Sequence, residues 1–221
     1  MIVAIDGPAG VGKSAVARRL ASKLGFVFLD TGALYRAVTW KACQEGIPLE
    51  RTDAILRSWE GSRLDLSGSG DGFRVLLDGK DISDELRRPE VERNVRTLAE
   101  NPRIREAMVA LQREFARGRD VVAEGRDTTT VVFPDADVKF YLDAELSERV
   151  RRRTEQRRNA GLPGQEAEVR KGIQDRDHAD RSREISPLVR SEDSIYVDTT
   201  GMGLEEVVDR MAEEIEQSRG Q

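Results

Sequence analysis

Short unbroken apolar runs alternate along the chain with stretches of helical period, and this alternation sets the expected fold. Ile2-Val-Ala-Ile5 is strand-like and breaks at Asp6-Gly7, and Ala15 to Leu24 has helix-forming composition. Phe26-Val-Phe-Leu29 reads as a second strand. It closes at Asp30-Thr31-Gly32, a turn able to cap a helix over Ala33 to Glu45, where Leu34, Ala37, Val38 and Trp40 keep the period until Gly46 and Pro48 end it. A short helix follows near Asp53 to Trp59. The character then changes: Arg63 to Ser67 alternates, Ser67-Gly-Ser-Gly-Asp-Gly72 turns, and Phe73 to Asp78 runs into Gly79, which predicts an inserted hairpin. Pro89 to Phe115 is helical with a restart at Asn101-Pro102. Val121 to Ala123 and Val138 to Leu142 are further strands, separated by the turn-like Phe133 to Asp137. Charged helices over Leu146 to Arg158 and Glu166 to Asp180 flank an Asn159 to Gly164 tip. A strand at Asp193 to Asp198 and a helix at Leu204 to Gln217 close the chain. Strands alternating with helices predict an α/β fold, a parallel sheet covered on both faces with ligands at the carboxyl ends of its strands.

The first strand opens onto Gly7-Pro-Ala-Gly-Val-Gly-Lys-Ser14, the spacing GxxxxGK[ST]. Glycines let successive backbone N–H groups turn inward around an anion, the Lys reaches the outer phosphates and the Ser hydroxyl ligates magnesium. Because a helix follows at once, its N-terminal dipole and free N–H groups favour the same anion. The segment Gly7, Pro8, Ala9, Gly10, Val11, Gly12, Lys13 and Ser14 is therefore the candidate nucleotide cradle, the core of a three-layer P-loop NTPase fold.

Composition narrows the partners. The 221 residues suit one domain with appendages. A chain with 38% hydrophobic and 35% charged residues and a net charge of −5 fits a soluble protein and argues against a general binder of nucleic acid polymers or anionic membranes. Thirty arginines against six lysines supply planar forks that grip phosphate bidentately, although codon bias accounts for most of them. Cys43 stands alone, so an intrachain disulfide and a thiolate metal cluster are both excluded, and a reducing cytoplasm is the expected location. The sequence shows neither a basic-then-apolar leader nor an apolar run long enough for a membrane span.

A P-loop serves ATPases, GTPase switches and small-molecule kinases alike. The chain lacks an Asn-Lys-x-Asp run of the guanine-reading kind and instead places Arg36, Arg105, Arg126, Arg176 and Arg183 at turns beside strand ends. A nucleoside triphosphate and a phosphorylated acceptor bring about six negative charges together, repelling by several kcal/mol at intermediate dielectric. Magnesium and an arginine cage answer that repulsion, and closure around both substrates keeps water from taking the phosphoryl group. The arginine-dense stretch Arg149 to Arg158, with its Gly/Pro tip, is a candidate lid, though charge alone favours a solvated helix face.

Five motifs together carry a resemblance: IDGPAGVGKS at the start, LDTGALYR at Leu29 to Arg36, NPRIR at Asn101 to Arg105, EGRD at Glu124 to Asp127 with VVFPDA soon after, and RDxxDRxR at Arg176 to Arg183. In order and over essentially the whole length, the chain resembles bacterial cytidylate kinases, a family of P-loop nucleoside monophosphate kinases. The resemblance implies transfer of the γ-phosphoryl group of ATP to CMP or dCMP with Mg2+, by a monomer. It also implies a core (1–61, 91–148 and 184–221), a β-containing NMP-binding insertion (about 62–90) and a helical lid (about 149–183). Position by position it makes Lys13 and the loop amides the ATP cradle, Ser14 a magnesium ligand and Glu124 a second one through water. Arg36 and Arg126 bind the acceptor phosphate, Thr31 and Tyr35 contact the acceptor, and Arg105 and Asp127 read the cytosine edge. Arg176, Asp180 and Arg183 hold sugar and phosphates, with Lys13, Arg126, Arg176 and Arg153 as the catalytic set. Arg149, Arg152 and Arg153 belong to the lid, the first two contacting ATP. The alternatives are a kinase of another small acceptor, UMP or AMP, and a slow P-loop switch, which needs no second phosphate site.

The chain departs from the resemblance twice. Arg96-Thr97 stands where a serine contacts the base, and an arginine cannot imitate a short hydroxyl. Thr128-Thr129-Thr130 stands where a Met-Gly or Ile-Gly pair precedes Thr, which puts β-branched residues where the loop is expected to need backbone freedom. His178, the only histidine, is expected to be solvated rather than an acid–base group, Cys43 to be a small buried hydrophobe, and Trp40 and Trp59 to be packing residues.

Overall fold

The computed structural model describes all residues except 68–72, 160, 163, 220 and 221. Most of the expected Gly/Ser turn, and two residues of the expected 159–164 tip, lie outside the described residues. Eight strands and eight α-helices are described. They run β1 (Ile2–Asp6), α1 (Lys13–Leu24), β2 (Val27–Asp30), α2 (Thr31–Gln44), α3 (Thr52–Trp59), β3 (Leu64–Ser67), β4 (Arg74–Leu77), β5 (Lys80–Asp81), α4 (Pro89–Ala99), α5 (Pro102–Ala116), β6 (Val121–Glu124), β7 (Val138–Asp143), α6 (Leu146–Asn159), α7 (Glu166–Ser182), β8 (Ile195–Asp198) and α8 (Leu204–Arg219). Two compact units result, residues 1–28 with 119–221, and residues 29–118.

The larger unit is built on a sheet of order β2-β6-β1-β7-β8, in which β1 runs parallel to β6 and β7, and β7 parallel to β8. Register places Ala4 beside Ala123 and Lys139, and Phe140 beside Ile5 and Ile195. The unbroken apolar runs are explained by burial: β6 is buried at every residue and β7 at all but its last, as strands covered on both faces must be. Helix α1 packs on β6 and α8, and α6 packs on α7. A small apolar cluster of Ala9, Val150, Val169 and Ile173 joins the phosphate loop to those last two helices.

The smaller unit carries the inserted sheet, of order β3-β4-β5 and antiparallel throughout. It covers α2 through Val75, Leu77, Ile82 and Leu86, which meet Ala33, Ala37 and Trp40, with Trp59 packed alongside. Both tryptophans are thus packing residues. The two-residue β5 and a 3-10 turn at Glu85–Arg87 were not expected, being too short to leave a period in the sequence. Helix α2 starts two residues earlier than its apolar period, because Asp30 caps it by accepting from Ala33 N at 2.8 Å. Asn101 does the same for α5, accepting from the Arg103 and Ile104 amides. Cys43 is half-buried rather than buried, and burial raises its pKa.

Phe140 sits fully buried in β7, an interior strand of the larger sheet. Phe140→Ala is expected to cost about 3–5 kcal/mol of unfolding free energy by urea denaturation, and a loss below about 1 kcal/mol would contradict this placement.

Candidate active site

The phosphate loop leaves β1 through Gly7, whose φ of +152° and close approach to β7 admit no side chain: an added Cβ would lie 2.1 Å from the Leu142 carbonyl oxygen. It enters α1 through Gly12, a left-handed N-cap with no side-chain partner for the helix amides, so the first-turn N–H groups stay available to an anion. Lys13 is buried and folded onto the loop, donating from Nζ to Gly7 O at 2.7 Å and Pro8 O at 2.8 Å. Burial foremost, then the positive Arg126, with Glu124 opposing and Arg176 adding, brings its pKa down to about 7. Ser14 Oγ donates to Glu124 Oε1 at 2.6 Å. A hydroxyl and a carboxylate oxygen side by side are hard donors that suit a magnesium ion completed by phosphate and water.

Three side chains from α6 and α7 hold the loop from outside. Asp177, buried, accepts from Ala9 N at 2.9 Å and from Arg149 Nη1. Arg149 Nη1 also donates to Ala9 O at 3.0 Å, so both polar groups of Ala9 are gripped. Arg152 Nη1 reaches Val11 O at 3.0 Å and Thr199 Oγ1 at 2.9 Å, and its Nη2 reaches Thr199 O and Met202 O. The two arginines assigned to ATP by resemblance therefore bind the loop's carbonyls in this structure. Arg153 is exposed on α6 and donates to Gln156 Oε1, apart from this cluster.

Opposite charges also pair between the β6 exit and the end of α7. Arg126 Nε donates to Asp180 Oδ2 at 2.6 Å, and Arg183 Nη2 lies 3.7 Å from Asp127 Oδ1. Burial alone would raise the Asp180 pKa, but the Arg126 charge and hydrogen bond overcome it and hold the carboxyl below its usual range. Burial opposes the Arg126 charge too, and Asp180 reverses that effect. Arg176, near enough to act on Lys13, is solvent-exposed on α7, as is His178.

In the smaller unit, Asp30 Oδ2 accepts from Arg36 Nη2 at 2.9 Å while its other oxygen caps α2. Arg105 is buried, its guanidinium 5.5 Å from the Tyr35 ring centroid and donating to Ala99 O at 3.0 Å. Thr31, also buried, is the first residue of α2.

Sequence reading missed Asp6 and Asp177. Asp177 falls four residues after Ile173 and eight after Val169, on the buried stripe of α7, which was the available signal. Asp6 is fully buried and accepts from the Thr128 and Thr129 amides at 3.0 and 2.7 Å. These threonines open a π-helical turn, Thr128–Val132, and none has positive φ. The expected need for glycine freedom is thus corrected: β-branched residues fit the turn.

The sequence model described as cytidylate kinase matches residues 3–217. A cytidylate kinase of Oceanobacillus iheyensis is 46% identical over 213 residues, covering 96% of this chain and 93% of that protein. One from Caldanaerobacter subterraneus subsp. tengcongensis is 47% identical with the same coverage. A crystal structure of an uncharacterized protein from Eubacterium ventriosum superposes with a TM-score of 0.55 at 14% identity, covering 98% of both chains, which is likeness of fold.

Bound phosphates favour the protonated form of Lys13, so nucleotide binding above pH 7 must take up a proton. Calorimetry in buffers of different ionisation enthalpy is expected to find uptake near one proton at about pH 8.5 and little at about pH 6. Absence of uptake at the higher pH would contradict the depressed pKa.

Proposed function

The chain belongs to the cytidylate kinase family, and on that premise we propose how its residues divide the work of moving the γ-phosphoryl group of ATP to CMP or dCMP. The UMP, AMP and switch alternatives are not favoured, since the relatives are cytidylate kinases over nearly the full length. The observation that carries the reading is the arginine–carboxylate cage in the same unit as the phosphate loop. A slow switch has no use for such a second anion site.

Gly7 to Ser14 wraps the ATP phosphates with backbone amides, and Lys13 exchanges its two loop carbonyls for phosphate oxygens. Ser14 and Glu124 would hold Mg2+, which when bound offsets charge on the transferring group. Arg149 and Arg152 serve ATP through the loop they hold. Arg126 gives the acceptor phosphate its main contact, freed from or shared with Asp180. Arg176, beside Lys13, stabilises charge as it develops on the moving phosphoryl group, with Arg153 joining from α6. Asp180 and Arg183 hold the ribose and phosphates. Asp127 accepts from the exocyclic amine of cytosine. Uracil would face that carboxylate with a carbonyl, an unpaired contact costing about 1–3 kcal/mol, or roughly tenfold to a hundredfold. In the smaller unit, Thr31, Tyr35 and Arg36 contact the acceptor, and Arg105 joins in reading its base. By role the chain is a core (1–61, 91–148, 184–221), an acceptor-binding insertion (about 62–90) and a lid (about 149–183), working as a cytoplasmic monomer.

An ADP-release assay with ATP and Mg2+ tests this reading. CMP and dCMP are expected to support turnover, UMP about tenfold or more below them, and ATP alone almost none. Equal ADP release without acceptor would overturn the reading. Arg126→Ala is expected to leave ATP binding intact and cut transfer by about 10²–10³, and unchanged turnover would remove Arg126 from its role.

A further inference from the structure

Asp6 immediately precedes the phosphate loop, and its fully buried carboxylate is bonded to the segment after β6. Each carboxylate oxygen receives two donors. Oδ1 accepts from Thr128 N at 3.0 Å and from Thr128 Oγ1, and Oδ2 accepts from Thr129 N at 2.7 Å and Thr129 Oγ1 at 2.6 Å. Thr128 Oγ1 also lies 3.0 Å from Ile5 O, but a hydroxyl has one proton, and Ile5 O already takes the Gly125 amide at 2.9 Å. The hydroxyl therefore serves Asp6.

These four bonds fix the start of a π-helical turn that closes on itself through Val132 N to Asp127 O and Phe133 N to Thr128 O. Arg126 and Asp127 immediately precede that turn. The backbone of Asp6 is no freer, because its next residue, Gly7, is wedged against Leu142 O. A rigid β1 end is thus tied by charge-assisted bonds to the segment carrying the acceptor-phosphate arginine and the base-reading carboxylate. Hydroxyl-free side chains at 128 and 129 would leave Asp6 two donors for four.

We propose that Asp6, with the Thr128 and Thr129 hydroxyls, is a positioning residue of the reaction: it sets Arg126 and Asp127 relative to the phosphate loop, and so governs acceptor use and base choice rather than ATP binding. The inference rests on the acceptor reading of Arg126 and Asp127.

The test is steady-state kinetics on the full-length double variant Thr128→Val/Thr129→Val, which keeps both amides and shapes and removes both hydroxyls. Its kcat/KM for CMP is expected to fall about tenfold to a hundredfold, as small misplacements of reacting groups do. The CMP-over-UMP preference should shrink, and the KM for ATP should stay within about threefold. Thr128→Ser/Thr129→Ser, which restores the hydroxyls, should return kcat/KM for CMP to within about threefold of the parent. Unchanged kcat/KM for CMP, an equal rise in the KM for ATP, or a loss that serine does not rescue would each overturn the proposal. If the double valine variant lacks a cooperative melt, Thr129→Val is judged by the same criteria. Arg126→Ala runs in parallel: if it alone keeps full activity the acceptor reading fails, whereas a damaged Arg126→Ala beside an undamaged valine variant refutes the positioning role.

Discussion

A carboxylate removed from water needs donors or cations in place of its hydration shell, and the larger unit supplies them at Asp6, Asp127 and Asp177, all buried. Asp177 takes one amide of the phosphate loop and the Arg149 guanidinium, tying α7 and α6 to the loop's outer edge. Asp6 takes two amides and two hydroxyls and ties the loop's root to the next functional segment. Asp127 lies 3.7 Å from Arg183 at the end of α7. The conformations of the phosphate loop and of the segment after β6 hang on how these carboxylates are satisfied.

The same pairing explains how so many arginines coexist. Burial foremost, and then repulsion from Arg126, brings Lys13 down to about 7. Glu124 opposes that effect on Lys13, and Asp180 with Glu124 holds the charge on Arg126. On the proposed roles, an incoming phosphate would compete with these carboxylate partners. Such competition would lower affinity and raise selectivity, because only a ligand that satisfies several cations at once repays the exchange.

Much of this was legible in the sequence. The GxxxxGK[ST] spacing after an apolar run placed β1, the loop and α1, and Asn101-Pro102 placed the break between α4 and α5, because caps and glycine turns act locally. Ser14 and Glu124, which the resemblance names together for magnesium, are hydrogen-bonded although 110 residues apart. What escaped depended on long-range partners. Arg149 and Arg152 looked like phosphate ligands because their carbonyl partners, Ala9 and Val11, lie about 140 positions away. The Thr128–Val132 turn broke the glycine expectation because its stability comes from Asp6, more than 120 residues earlier, and not from backbone freedom.

The central claim is that paired arginines and carboxylates beside the loop make a second-substrate site, so phosphoryl transfer goes to an acceptor and not to water. Partition of γ-labelled ATP in a single turnover, with and without CMP, measures this most directly. The account predicts label in CDP with CMP present and almost no inorganic phosphate in either arm. Inorganic phosphate released at the same rate whether or not CMP is present would contradict it.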